Sequence, residues 1–138
     1  MDSRPGNSSS TTSLHKDNYE NIYVQILGGK KFTILPPIEA PCVNEQYLTC
    51  ATYVAIDSHI ESSQKLLQPQ LDIPHQIIPF PTWDPENPRQ RTSAFSRLAR
   101  PMTIELSEGD MLYLPALWYH KVSQVCNNEG LCSSVNFW

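Results

Sequence analysis

The sequence predicts an all-β fold, on three observations. Short runs rich in β-branched and aromatic residues recur along the chain, each bounded by turn-forming residues. Twelve prolines and five glycines punctuate its 138 residues, which suits many turns and few helices. Apolar residues recur at helical spacing almost nowhere.

The elements follow in order. Residues 22–27 form an apolar strand, Gly28-Gly29 a turn, and residues 32–35 a second strand stopped by Pro36 and Pro37, so this stretch reads as a β-hairpin. Further strands are expected at 51–56, 102–106, 111–114, 119–122 and 134–138, with Glu108-Gly109-Asp110 as the turn before Met111. Two short helices are expected at 62–68 and 93–99. Residues 67–100 are Pro-rich and charged, centred on Ile77-Ile78-Pro79-Phe80-Pro81-Thr82-Trp83. They read as a long surface loop, with a flap over a ligand site as the functional alternative. The Ser/Thr/Gly-rich run up to Ser13 reads as disordered. The expected organisation is a disordered or truncated segment over 1–11 and one core over 12–138.

Composition excludes some classes. A net charge of −4 and a pI near 5.5 argue against direct binding to nucleic acid. No apolar run approaches the roughly 20 residues that cross a bilayer. Cys42, Cys50, Cys126 and Cys132 lack C-x-x-C spacing, which argues against a zinc site. Cys126 and Cys132 flank the turn-forming run Asn127-Asn128-Glu129-Gly130, but nothing suggests an oxidising compartment, so free thiols in a cytoplasmic or nuclear protein are expected.

Chemistry concentrates in Ser13-Leu14-His15-Lys16-Asp17 and, about a hundred residues later, in His120. Residues i and i+2 of a strand share a face, so His15 and Asp17 can grip one ion together. With a distant His they make a two-His, one-carboxylate facial triad, which leaves half of an octahedron open. An isolated H-x-D is ordinarily a solvated pair or a local hydrogen bond. Here both segments lie on or beside strands, where a rigid site belongs. His59 and His75 have no ligand-like spacing and read as ordinary polar residues.

Three segments carry a family resemblance: Thr12 to Pro37, Gly109 to His120, and Ser134-Val135-Asn136-Phe137-Trp138. Together they resemble the JmjC oxygenases, and within them the small lysyl-hydroxylase group, whose members carry SLHKD-YEN-Y, GDMLYLPALW-H and VNFW. The matches come in the right order and span most of the chain, with 42–101 weakly matched. The resemblance implies a double-stranded β-helix of the jelly-roll or cupin, JmjC type. It implies Fe(II) on His15, Asp17 and His120, with 2-oxoglutarate as cosubstrate and O2 as oxidant. Lys30, fifteen positions after His15, would pair with the C5 carboxylate of 2-oxoglutarate. Thr12 would share that carboxylate, and Asn21 and Asn136 would line the cosubstrate pocket. Either Asn has a plainer alternative, satisfying backbone groups at a strand end. Lys31, next to Lys30 on a strand, should face the other way and be solvated. Trp118 reads as packing that fixes His120 rather than as a substrate contact.

What the resemblance implies for function is oxidative decarboxylation of 2-oxoglutarate to succinate and CO2, coupled to oxidation of a C–H bond in a protein or peptide substrate. Hydroxylation of a lysine or another side chain is the first reading, and demethylation of Nε-methyl-lysine by the same chemistry the second. A third, of another class, is an inactive truncated JmjC module with a binding role only. The departure from the family lies at the termini. Only fourteen residues precede His15, where a JmjC core has a further strand whose Tyr contacts 2-oxoglutarate, and the chain stops on the last core strand. The fold is therefore expected to be incomplete on its N-terminal side, with a homodimer expected only of a longer form.

Overall fold

The computed structural model describes residues 2–3, 10–55 and 67–138. Ile56, His59 and the 62–66 part of the first expected helix lie outside the described residues. The described chain divides into two compact units, residues 1–45 with 81–138, and residues 46–80.

The first unit contains two antiparallel four-stranded sheets. In the first sheet, β1 (Asp2–Ser3), β12 (Ser133–Phe137), β3 (Asn21–Leu27) and β10 (Met111–Leu114) lie in that order. In the second, the order is β2 (His15–Lys16), β11 (Tyr119–Val125), β4 (Gly29–Leu35) and β9 (Met102–Leu106). The expected all-β class holds, and two sheets facing each other are the jelly-roll arrangement. The expected β-hairpin is corrected: β3 pairs with β10 and β12 and β4 with β11 and β9, so the turn at Gly28 passes from one sheet to the other, each strand finding its partners in distant segments. The φ of +68° makes glycine the natural residue there. An added Cβ at Gly28 would sit 2.6 Å from the Val125 carbonyl oxygen.

Burial alternates along β3 and β12 and identifies the inner face of the first sheet, whereas β4 and β11 of the second carry runs of four buried residues because both their faces are covered. Tyr23 and Leu114 of the first sheet pack against Phe32, Ile34, Leu106 and Val122 of the second. Asn21, Gln25, Ser134 and Asn136 share the inner face of the first sheet and are almost fully buried. The outer face of that sheet is the apolar one. Phe137, Ile22 and Tyr113 form one cross-strand row, and Val135, Val24 and Met111 the next.

On the outer face of the second sheet, Leu35 and Tyr119 pack with Leu14, Val43 and Trp83. The 3-10 turn Pro37–Cys42 and residues 82–100 contribute to this layer. Lys121, also on this face, bonds Asp84 at 2.8 Å and Glu86 at 2.6 Å. Burial opposes the Lys121 charge, but its two acidic partners outweigh that and raise its pKa. Asp84 is held low in turn by Lys121 and Asn87, against its own burial.

The expected loop over 67–100 is thus corrected. Its first part holds β7 (Leu67–Leu71) and β8 (Ile77–Pro81), and its last part packs over the second sheet of the first unit. Helix 93–99 shrinks to the 3-10 turn Ser96–Leu98, and Leu67 and Gln68 are in a strand rather than a helix. The second unit contains two antiparallel ribbons, β6 (Ala51–Ala55) with β7, and β5 (Glu45–Thr49) with β8. Strand ends moved as well: β4 begins at Gly29 and β11 runs on to Val125, while β3 and β12 shift by one residue.

The Ser/Thr-rich start takes part in the fold. Thr11 bridges Ser123, the Thr12 N–H donates to the Val122 carbonyl, and the Val122 N–H donates back to Thr12 Oγ1. Local composition suggested disorder, but the open edge of β11 supplies these backbone groups with partners. Cys42, Cys50 and Cys132 are free thiols. Among the described residues, no helix is long and apolar enough to cross a membrane.

Candidate metal and cosubstrate site

Strand register brings the three expected ligands together. His120 on β11 pairs directly with His15 on β2, and their ring centroids lie 4.1 Å apart. Asp17 follows on the same face as His15, and its Oδ2 lies 3.6 Å from His120 Nε2. One ligand atom from each of His15, Asp17 and His120 falls within 4.8 Å of the others.

Each imidazole is oriented from behind. His15 Nδ1 donates to the Ser13 carbonyl at 2.8 Å, and His120 Nδ1 to the Trp118 carbonyl at 3.1 Å. A carbonyl only accepts, so the proton sits on Nδ1 in both rings and the Nε2 lone pairs are left for a metal. His120 is fully buried, and its Nε2 has no hydrogen-bond partner. Burial, then the neighbouring His15, lowers the His120 pKa from 6.5 to about 4, against the opposing pulls of the Trp118 carbonyl and Asp17. At neutral pH it is the neutral imidazole that a metal requires. A buried lone pair without a partner, beside a second imidazole and a carboxylate, fits a divalent first-row metal with open positions.

Backbone contacts fix the ligand segments to each other. The Leu117 N–H donates to the Asp17 carbonyl at 2.8 Å, and Leu117 holds a positive φ of 67° at the turn before β11. On the opposite face of the same ladder, Lys16 pairs with Tyr119. Lys16 Nζ lies 2.5 Å from Glu45 Oε1 and 3.2 Å from the Tyr119 hydroxyl, which itself donates to Glu45 Oε1 at 2.8 Å. Burial acts against the Lys16 charge, but Glu45 and Tyr119 outweigh it and raise the ammonium's pKa. Burial and Glu45 raise that of Tyr119.

A cleft of about 300 Å³ opens beside His15, lined also by Ser10, Thr12, Tyr23, Lys30, Val122 and Gln124. That volume lies within the range of small-molecule sites. Lys30 is 4% exposed, whereas the adjacent Lys31 is half-buried, so the alternation of β4 turns Lys30 inward as expected. Its Nζ donates to Ser134 Oγ at 2.5 Å and stands 5.6 Å from the centre of the Tyr23 ring. Thr12 lines the cleft, and its hydroxyl accepts from Val122 while keeping a proton to donate. Asn21 and Asn136 are fully buried on the inner face of the first sheet, but neither lines this cleft. Their amide atoms have no hydrogen-bond partner, and such groups in a dry interior call for a polar ligand or ordered water. The plainer expectation, that they satisfy strand-end backbone, is therefore corrected.

Tyr23, Gln124 and Ser134 were missed from the sequence. Tyr23 lies one period-2 step from Asn21 and Ser134 one from Asn136, and Gln124 lies two such steps from His120. A count along each strand finds them. Trp118 packs partly buried against the core and gives its carbonyl to His120, as expected.

Residues 3–138 match the Cupin-like domain family. This chain belongs to that family. Several of its relatives carry JmjC or JMJ names. The cupin-like chain is 34% identical over 141 residues to JmjC domain-containing protein E of Dictyostelium discoideum, covering 96% of this chain and 40% of that protein. It is 36% identical over 134 residues to the bifunctional peptidase and (3S)-lysyl hydroxylase JMJD7 of Homo sapiens, covering 96% and 39%. To the lysine-specific demethylase JMJ32 of Arabidopsis thaliana it is 31% identical over 141 residues, again covering 96% and 39%. The chain thus spans about two fifths of the length of these relatives.

Proposed function

We propose that this chain is the core of an Fe(II)- and 2-oxoglutarate-dependent protein oxygenase that hydroxylates a lysine or another side chain of a protein or peptide substrate. The observation that carries this reading is the juxtaposition of His15, Asp17 and His120 with a cleft containing an inward-turned lysine. His15, Asp17 and His120 would hold Fe(II). Lys30 would neutralise the C5 carboxylate of 2-oxoglutarate by a charge-assisted bond, with Thr12 donating its remaining proton to the same group. Asn21 and Asn136 would satisfy polar groups deeper between the sheets. The bound iron, with 2-oxoglutarate and O2, would supply the oxidising power that no side chain has. The residues of the chain bind, orient and exclude water. His120 stays a neutral ligand because burial disfavours its protonation.

A second reading, demethylation of methyl-lysine, has support in the relatives, one of which is named a lysyl hydroxylase and another a lysine-specific demethylase. The iron and cosubstrate residues would be common to both, so the two differ only in the substrate carbon presented. The third reading, a binding module without turnover, differs in its assay. A cytoplasmic or nuclear location, and a homodimer of a longer form, remain parts of the proposal.

The test is conversion of 2-oxoglutarate to succinate by the purified chain with Fe(II), with and without ascorbate, beside His15→Ala. Turnover by the native chain that the variant loses is the expected result. A folded, metal-binding chain that makes no succinate would favour the binding module.

A further inference from the structure

The strand that carries the H-x-D motif is weakly held by its own sheet. β2 is two residues long and sits at the sheet edge, with two ladder pairs, His15 to His120 and Lys16 to Tyr119. The same ladder therefore presents a ligand pair on its inner face and a Lys–Tyr pair on its outer face. Lys16 stands between the two ligands, and its side chain reaches Glu45, 29 positions on, and Tyr119 on the neighbouring strand. Tyr119 is 1% exposed within a cluster with Leu14, Leu35, Val43 and Trp83, and its hydroxyl closes a triangle with Lys16 and Glu45. Glu45 lies just beyond Asn44, whose side chain bonds Thr82 and the Arg91 carbonyl. The triangle thus links the short edge strand to a well-packed layer.

We infer that Lys16, Glu45 and Tyr119 are positioning residues that set the distance between His15 and Asp17 on one side and His120 on the other, and so tune metal affinity from the opposite face of the sheet. This rests on the proposed metal site. The physical reason is leverage. Side chains i and i+1 of a strand share one stretch of backbone, so anchoring Lys16 fixes the direction of both flanking ligands. A site built to tolerances of a fraction of an ångström needs such support when its strand is short. The Tyr119 pairing does the same for His120. A surface ion pair with only a stabilising role would change stability slightly and leave the ligands alone.

The experiment uses Co(II), whose visible spectrum reports ligand geometry, on the whole chain without cosubstrate. Native chain, Lys16→Met, Lys16→Arg, Glu45→Gln and His15→Ala are compared by calorimetric titration, Co(II) absorption and circular dichroism. Loss of an outer partner of a metal ligand weakens metal binding by roughly 10- to 100-fold. Lys16→Met and Glu45→Gln should show about tenfold weaker Co(II) binding and an altered spectrum while retaining the native β-sheet signal. Lys16→Arg, which keeps the charge and the reach to Glu45, should recover most of the affinity. The inference is overturned if both variants bind Co(II) within twofold of the native chain with an unchanged spectrum, whatever their thermal stability. Should Lys16→Met fail to fold, Glu45→Gln, which keeps the size of the side chain and removes only its charge, decides alone by the same criterion. Absence of Co(II) binding by the native chain would instead sink the metal-site reading, a result distinct from equal binding by native chain and variants.

Discussion

Lys30 and Lys31 offer a matched pair for testing the cosubstrate cleft. They are adjacent and chemically identical, but β4 turns Lys30 into the interior and leaves Lys31 half-buried on the other face. Replacing Lys30 with Met keeps most of its length and removes the ammonium. A hydrogen bond to a charged group contributes about 1.5–3 kcal/mol, which at roughly 1.4 kcal/mol per tenfold corresponds to about 10- to 150-fold weaker binding. The low exposure of Lys30 places the expected loss toward the upper end, because water screens the pair little. The assay is calorimetric titration of 2-oxoglutarate into the chain loaded with Mn(II), which avoids turnover. Lys31→Met should bind within twofold of the native chain. Equal affinities for native and Lys30→Met chains, or an equal loss in both variants, would refute the argument that strand alternation selects the cosubstrate lysine.

Three further outcomes are expected. A metal bound at 100 times its Kd stabilises the fold by about 2.7 kcal/mol, so chelator should lower the melting temperature of the Fe(II)- or Mn(II)-loaded chain and leave that of Asp17→Ala unmoved; calorimetry of both, with and without EDTA, checks this. In the metal-free chain, an unfolded His120 takes its proton near 6.5 but the folded one only near 4. The unfolded state therefore binds more protons in that window, and the His120 contribution, present above pH 6.5, is lost as pH falls toward 4. At about 1.4 kcal/mol per pH unit this amounts to on the order of 3 kcal/mol, and urea titrations across the window should show a shallower pH dependence for His120→Gln. Among the glycines, Gly28→Ala should destabilise by several kcal/mol. A left-handed φ costs about 1–2 kcal/mol, and the close approach to the Val125 and Leu131 carbonyls adds about 1–3 more. Gly130→Ala, also at positive φ but with open space around it, should lose only the first of these, as chemical denaturation would measure.

The polarity of β3 explains part of what sequence reading found and missed. Ile22, Val24 and Ile26 alternate with Asn21, Tyr23 and Gln25, and a strand with one wet face would turn the first set inward. The structure does the reverse: Asn21, Tyr23 and Gln25 are buried, while Ile22 and Ile26 are exposed. A polar interior is costly unless its groups find partners. Here Tyr23 alone of the three lines the ligand cleft, Lys30 bonds Ser134, and the buried amides of Asn21 and Asn136 lie apart from the cleft without a hydrogen-bond partner. The alternation was visible in the sequence, but its direction was not, because that depends on which strands cover each face.

The sequence by itself determined the β class, the presence of two strands on either side of the Gly28 turn though not their pairing, which lies with other strands in separate sheets, and the placing of His15 with Asp17 through a period of two. It also separated Lys30 from Lys31, since neighbouring strand residues must diverge. These are local consequences of backbone geometry. Only the tertiary structure decided that β2 and β11 lie side by side with His15 opposite His120, 105 positions apart. It alone put Lys16, Glu45 and Tyr119 in one triangle, and gave residues 82–100 a packed layer in place of a free loop. It also drew Thr11 and Thr12 onto the edge of β11 despite a composition that suggests disorder. The physical reason is common to all four. Each depends on backbone groups and side chains distant in the chain satisfying one another, and local propensity carries no information about a partner a hundred residues away.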